Sequence, residues 1–297
     1  MKRLIWRQHR GQLLWTVLVV LTFMALMVGV AQSADHWLAQ YHHWRAQLGA
    51  NHCPEPTTKT GPVTAPQSAV CQLLRSRYQD GPQPAFTSRY NFAILVFEDG
   101  LPLLAVLIGS LVGTSLVARE IEQRTQLVAW TQSISRQRWY IAKVVTIGAC
   151  LAATGLVVGF ANDRLQAPLT AGGLTSSRWP WFFSIDLAPA AEMALAFALA
   201  VSIGAWLRRT TAAVGGALIT FLVLFLITAW SVRSLTPYSR ATGLHASARK
   251  AAWDIGSGKY HPAGQYWPLQ SAFVAILLLL MGASLLAGWH ATRARSI

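Results

Sequence analysis

Charge is scarce in this chain, and negative charge is scarcest. Among 297 residues only 11 are Asp or Glu and 25 are Lys or Arg, so 12% are charged. A soluble domain carries about a quarter. That shortage excludes an ordinary soluble fold. The net charge of +14 might suggest nucleic acid, but the basic residues are scattered between apolar runs and form no single basic domain. Cysteine is nearly absent, with three residues in all. No phosphate loop is found either. The nearest candidate, Asp254 to Tyr260 ("DIGSGKY"), has Trp253 where G-x-x-x-x-G-K-[ST] needs its first glycine, and Tyr260 where it needs Ser or Thr. We read it as a turn, so ATP hydrolysis has no visible seat in this sequence.

What is abundant is apolar length. Hydrophobic residues make up 53% of the chain, with a mean hydropathy of +0.37. Six runs approach the ~20 residues that a bilayer requires: about 12–31, 101–118 (with Phe92 as its earliest start), 140–161, 190–207, 211–230 and 268–289. The expected fold is an all-α integral membrane protein with six transmembrane helices in one permease-like domain, 1–297. Thirteen basic residues fall in short segments: Lys2, Arg3, Arg7 and Arg10; Arg119, Arg124, Arg136, Arg138 and Lys143; Arg208 and Arg209; Arg293 and Arg295. Positive short loops face the cytoplasm, so both termini are expected inside. The first run could serve as a signal peptide cleaved near Ala31-Gln32-Ser33. Its length exceeds a signal core, which favours an uncleaved span.

Three longer loops, 32–92, 231–267 and the one between the third and fourth runs, then lie outside. The first carries Pro54, Pro56, Pro62, Pro66, Pro82 and Pro84, which oppose a compact domain. It also holds Cys53 and Cys71, which can pair in an oxidising space, whereas Cys150 falls in an apolar run. His36, His42, His43 and His52 share that loop without the spacing of a metal site, so no metal is expected. Glu98, Asp99 and Glu192 are the acids nearest the bilayer interior. Each can be read as a helix-start group, Asp99 preceding Gly100-Leu101-Pro102 and Glu192 following Pro189. The alternative is a place in a substrate or ion pathway. Gly109-x-x-x-Gly113 and Gly155-x-x-x-Gly159 suit close helix packing, within one chain or between two.

The segment 119–138 joins the second and third spans and is longer than a turn needs. It threads Leu127, Trp130 and Ile134, at i, i+3 and i+7, among Arg119, Glu120, Glu122, Arg124, Arg136 and Arg138. Periodicity allows a docking surface or a helix lying on lipid headgroups.

The residues resemble a known pattern. Ala118-Arg119-Glu120, Glu122, Thr125, Ala129-Trp130-Thr131-Gln132-Ser133, Ser135-Arg136, Arg138-Trp139 and Lys143 match A-R-E-x-E-x-G-T, L-A-W-T-Q-S-x-S-R-x-R-W and a following Lys. This resembles the signature of the ABC type-2 permease family in its actinobacterial exporter form. Trp6-Arg7-Gln8-His9-Arg10 is similar to the opening of such permeases on an interfacial elbow helix, here 1–11. His261-Pro262-Ala263, Tyr266-Trp267-Pro268 and Gln270 resemble the stretch before their last span. Two positions depart from the pattern: Arg124 replaces a Gly, and Ser271-Ala272 stand where relatives often carry an acid.

The resemblance implies a permease subunit of an ATP-driven exporter in the cell membrane of an actinobacterium-like bacterium. It implies an ABC ATPase acting in trans, with ATP and magnesium on that partner and no cofactor in this chain. A second permease copy completes the pathway. Arg119, Glu120, Glu122, Trp130, Arg136 and Arg138 would carry the ATPase coupling. Two rivals remain at this point: a non-transporting scaffold or sensor, and a membrane-embedded enzyme, for which no His–carboxylate spacing is found.

Overall fold

The computed structural model describes residues 2–53, 69–79, 96–123, 136–171, 180–235, 239–240, 253–256 and 259–294. Seven α-helices make up most of it. They are α1 (Lys2–Ala50), α2 (Ala69–Gln79), α3 (Leu101–Glu122), α4 (Arg136–Ala171), α5 (Ala188–Leu207), α6 (Thr210–Ser234) and α7 (Tyr266–Ala294). All except α2 contain a stretch long and apolar enough to cross a membrane. The six expected spans are therefore present. Beside them lies a small antiparallel sheet, β1 (Ser239–Arg240), β3 (Lys259–His261) and β2 (Trp253–Gly256), in the spatial order β1-β3-β2. The "DIGSGKY" stretch falls in the β2–β3 hairpin and has no helix start behind it.

The first helix differs from expectation. Residues 2–11 and 32–50, read from sequence as an elbow helix and the start of a loop, are continuous with the span. At 1.5 Å per residue these 49 residues reach about 74 Å, far beyond a hydrocarbon core of about 30 Å. Polarity ends the span near residue 31, but the helix runs on to Ala50, where His52 at φ 51° and the Cys53 N–H on Leu48 O at 2.9 Å close it. The projecting end is tied to α2 by a Cys53–Cys71 disulfide. Trp44 Nε1 donates to Leu74 O at 2.9 Å, and Leu48 is buried beneath both cysteines. Closing a loop of this length contributes about 3 kcal/mol in the chain-entropy account.

In the bundle α5 is central and the most deeply buried of the six spans. It packs most extensively on α3, then on α7, α4 and α6. Its sequence, APAAEMALAFALAVSIGAWL, explains this: alanines leave a thin helix that several neighbours can approach. The neighbours meet it with glycine. A Cβ on Gly109 would lie 2.5 Å from Met193 O, and one on Gly113 2.6 Å from Phe197 O. The two small-residue pairs therefore serve packing within the chain. Outward faces are apolar instead, with Leu14, Trp15 and Leu18 on α1, Ile219, Leu222 and Trp230 on α6, and Leu279 and Leu286 on α7 exposed, as lipid-facing positions must be.

Candidate functional site

The signature residues gather where α3 ends and α4 begins. Successive helical residues turn by 100°, so Glu120 and Glu122 leave the last turn of α3 on nearly opposite sides. Glu120 points inward. It forms a buried ion pair with Lys143 of α4, the two side chains 8% and 4% exposed. Lys143 also lies over the Trp139 ring of its own helix, 4.8 Å from the centroid, four residues back on the same face. Beside it the buried Tyr140 donates its hydroxyl to Leu285 O of α7 at 3.2 Å and meets the Trp289 ring at 5.9 Å.

Glu122 takes the other side. Its Oε2 accepts from the Thr210 backbone N–H at 3.0 Å and from the Thr210 hydroxyl at 2.6 Å. The start of α6 has no cap of its own, because Arg209 makes no side-chain cap bond. The carboxylate from α3 satisfies an orphan N–H there and sits at the positive end of the helix dipole. The turn before it is tight: Arg208 adopts φ 57°, closing α5 with its N–H on Gly204 O at 3.0 Å. Ala118, which opens the signature, lies 3.0 Å from where a Cβ on Gly204 would stand. One stretch of α3 thus clasps α4, α5 and α6 at one end of the bundle.

The opposite end is clasped too. The turn at residues 184–187 enters α5 and is held from both sides. Asn162 of α4 donates to Ser184 O at 2.9 Å and to Phe97 O at 3.3 Å. From the α7 side Tyr266 donates its hydroxyl to Asp186, and Gln270 Nε2 donates to Ile185 O at 3.0 Å. His261 is buried, its Nδ1 2.9 Å from Gln265 Oε1. The last sequence motif is therefore a fastening for this turn. Phe182, Phe183, Phe225 and Phe273 pack edge to face around it.

The family described as ABC-2 membrane transporter related matches residues 59–233, more than half of the chain, including segment 119–138 and four of the six spans. The chain belongs to that family. No curated protein and no solved structure matches it. It is a multi-pass membrane protein and the membrane subunit of a transporter, of the kind that generally works with an ATPase partner.

Within this permease the expected coupling residues divide. Glu120 is buried and paired with Lys143 within the chain. Glu122 is exposed but already engaged by Thr210. Arg119 and Arg138 lie at the surface. Trp130 and Arg124 lie outside the described residues, as does the side chain of Arg136. Beside Arg119 opens a depression of about 520 Å³, lined among others by Leu111, Thr114, Ser115, Gln123 and Val214.

Of the acids near the bilayer, Glu98 and Asp99 lie in the π-helical turn Val96–Gly100, with their side chains outside the described residues. The N-cap position of α3 is Gly100, so Asp99 does not hold it. Glu192 is wholly buried on α5, and its carboxylate makes no hydrogen bond. A capping role is thereby removed, although Pro189 does start the helix. Sequence reasoning missed Lys143 and Thr210 as site residues. A lysine inside an apolar span was the available signal.

Proposed function

We propose that this permease is the membrane subunit of an ATP-driven exporter in the cell membrane, with ATP and its magnesium bound by a separate ABC ATPase. The observation that carries the reading is the family match, which runs through 119–138 and the spans on either side. The ATPase seats on that segment, with Arg119, Arg138 and Trp130 as contacts, since Trp and Arg are frequent anchors of interfaces. Glu120 and Glu122 act within the chain. A push on the segment reaches α4 through Glu120–Lys143 and α6 through Glu122–Thr210, so several spans move together. Two copies form the pathway, and the cargo leaves outward. No cofactor or catalytic group is assigned to this chain.

Orientation is supported from two sides. Basic short segments mark the signature end as cytoplasmic. The Cys53–Cys71 disulfide belongs in an oxidising space, at the far end of α1. Reporter fusions after Arg10, Gln132, Arg209 and Arg295 are therefore expected to read cytoplasm, and those near Thr60, Ser176 and Ser257 the outside. An outside signal at Gln132 sinks the mechanism, because no ATPase could reach the segment.

Docking is tested by Trp130→Ala, with recovery of the ATPase on the purified permease as the measure, and the contact with α6 by Glu122→Lys, with export as the measure. Loss of a buried aromatic anchor costs about 2 kcal/mol, roughly thirtyfold in affinity. Glu122→Lys places a cation at the N-terminus of α6, where the dipole repels it. Both variants are expected to insert normally and to lose export, and Trp130→Ala to lose ATPase recovery as well. Were the segment a lipid-surface helix, Trp130→Ala would leave ATPase recovery unchanged and Glu122→Lys would tighten membrane attachment.

A further inference from the structure

One group inside the bundle has no task in anything described so far. Glu192 sits on the central helix, 0% exposed, and both of its carboxylate oxygens lack a hydrogen-bond partner. Elsewhere in the described spans buried charge is engaged, Glu120 by Lys143 and, at the outer turn, Asp186 by Tyr266. Burying a carboxyl with no donor is costly, and one kept inside a membrane bundle is a functional candidate.

Its surroundings share its deficit. On the helices packed against α5, the buried side-chain atoms without a partner include Asn162 Oδ1 on α4 and Gln270 Oε1 on α7, both beside the turn that enters α5, and Ser110 Oγ on α3. Asn162 and Gln270 are oriented unambiguously, because their amide nitrogens already donate to Ser184 O, Phe97 O and Ile185 O. Their free atoms are therefore acceptors. Gln166 Nε2 is the one donor-only atom among these. Close approaches bring the helices to one stretch of α5: Gly109, next to Ser110, meets Met193, and Gly155 and Gly159 meet Ala190 and Asp186. The interior thus holds a carboxylate and several acceptors with too few donors to match them.

We infer that Glu192 recognises a protonated amine on the transported molecule, with Gln270, Asn162 and Ser110 as accessory acceptors. The inference deepens the transporter reading by naming a substrate class: apolar molecules bearing an N–H cation. The carboxylate supplies charge, and the neutral acceptors favour an ammonium with hydrogens over a quaternary one. In this structure the site is shut, the carboxylate having no exposure. Opening it requires the helices around α5 to part, which their glycine contacts permit without disengaging long side chains.

The test uses the full chain in phosphatidylcholine nanodiscs, with equilibrium dialysis against empty discs. The probes are 1-adamantylammonium, its N,N,N-trimethyl analogue and neutral 1-adamantanol. Wild type is expected to bind the ammonium about tenfold or more tightly than the alcohol, with the quaternary probe between them. Glu192→Gln, which keeps the shape, is expected to abolish the preference for charge. Equal binding of ammonium and alcohol by wild type overturns the inference and needs no variant that must fold. So does an unchanged preference in Glu192→Gln. Quaternary and protonated probes binding alike overturns the part given to the neutral acceptors. ATPase recovery and export are separate readouts. Both intact with no amine preference overturns this inference alone, whereas amine binding with no ATPase recovered overturns the exporter reading and keeps the site.

Discussion

Lys143→Met is expected to be among the most damaging single substitutions in this permease. It fills nearly the same volume but strands Glu120, whose side chain is 8% exposed, against apolar neighbours. Removing one partner of a buried pair typically costs about 3–5 kcal/mol, because the remaining charge keeps its desolvation penalty and loses its compensation. The measurement is thermal unfolding of the detergent-solubilised protein, together with the monodisperse yield. Adding Glu120→Gln to Lys143→Met removes the stranded charge and is expected to recover most of the lost stability. That non-additivity is the signature of a direct pair. Lys143→Met as stable as wild type would mean that Glu120 is not buried against it. The double variant also separates folding from function. If the pair carries motion from the segment to α4, the variant regains stability but not export.

The pair gives a physical reason for the spacing of the signature. Glu120, Trp139 and Lys143 look in sequence like three members of a surface motif. In space they form one interior contact, with Trp139 buried and Lys143 over its ring. Glu122 then reaches the opposite neighbour, the uncapped start of α6. Both acids are held within the chain, and Arg119 and Arg138 lie at the surface.

The spans were legible because a bilayer imposes a length and a polarity that composition alone reports. The ends of α1 were not, since hydropathy marks where lipid stops and not where a helix stops. The pairing of Glu120 was hidden for a related reason. In a segment rich in Arg, a carboxylate reads as solvated, and its partner stands 23 residues further on, on another helix. Glu192 drew attention as an acid near the membrane, but Pro189 suggested a cap. Only the packing of α3, α4 and α7 around α5 shows that the group is enclosed. The short sheet near residues 239–261 had no readable signal, its strands being two to four residues long.

Gly159→Ala should be the most harmful one-methyl change in the bundle, although alanine is the better helix former. In an exposed helix the exchange stabilises by about 1 kcal/mol. Gly215, with nothing within 4 Å of a built Cβ, should show that gain. Gly148 should fall between, because its Cβ would meet the Phe197 ring edge at 3.2 Å and a ring can yield. At Gly159 the Cβ would stand 2.1 Å from Asp186 O and 3.0 Å from Asp186 C, both backbone atoms. Backbone cannot step aside, so α4 must leave the turn at residues 184–187. That displacement strains Asn162 against Ser184 and, through Asp186, the bond from Tyr266. Overpacking costs about 1–3 kcal/mol, and a clash with backbone belongs at or above the upper end. Unfolding temperatures of the three variants should therefore rank Gly215→Ala, Gly148→Ala, Gly159→Ala from highest to lowest. The ranking should not depend on protein concentration, because the contact lies within one chain. A loss at Gly159 that vanishes at high concentration would instead assign Gly155-x-x-x-Gly159 to an interface between two copies.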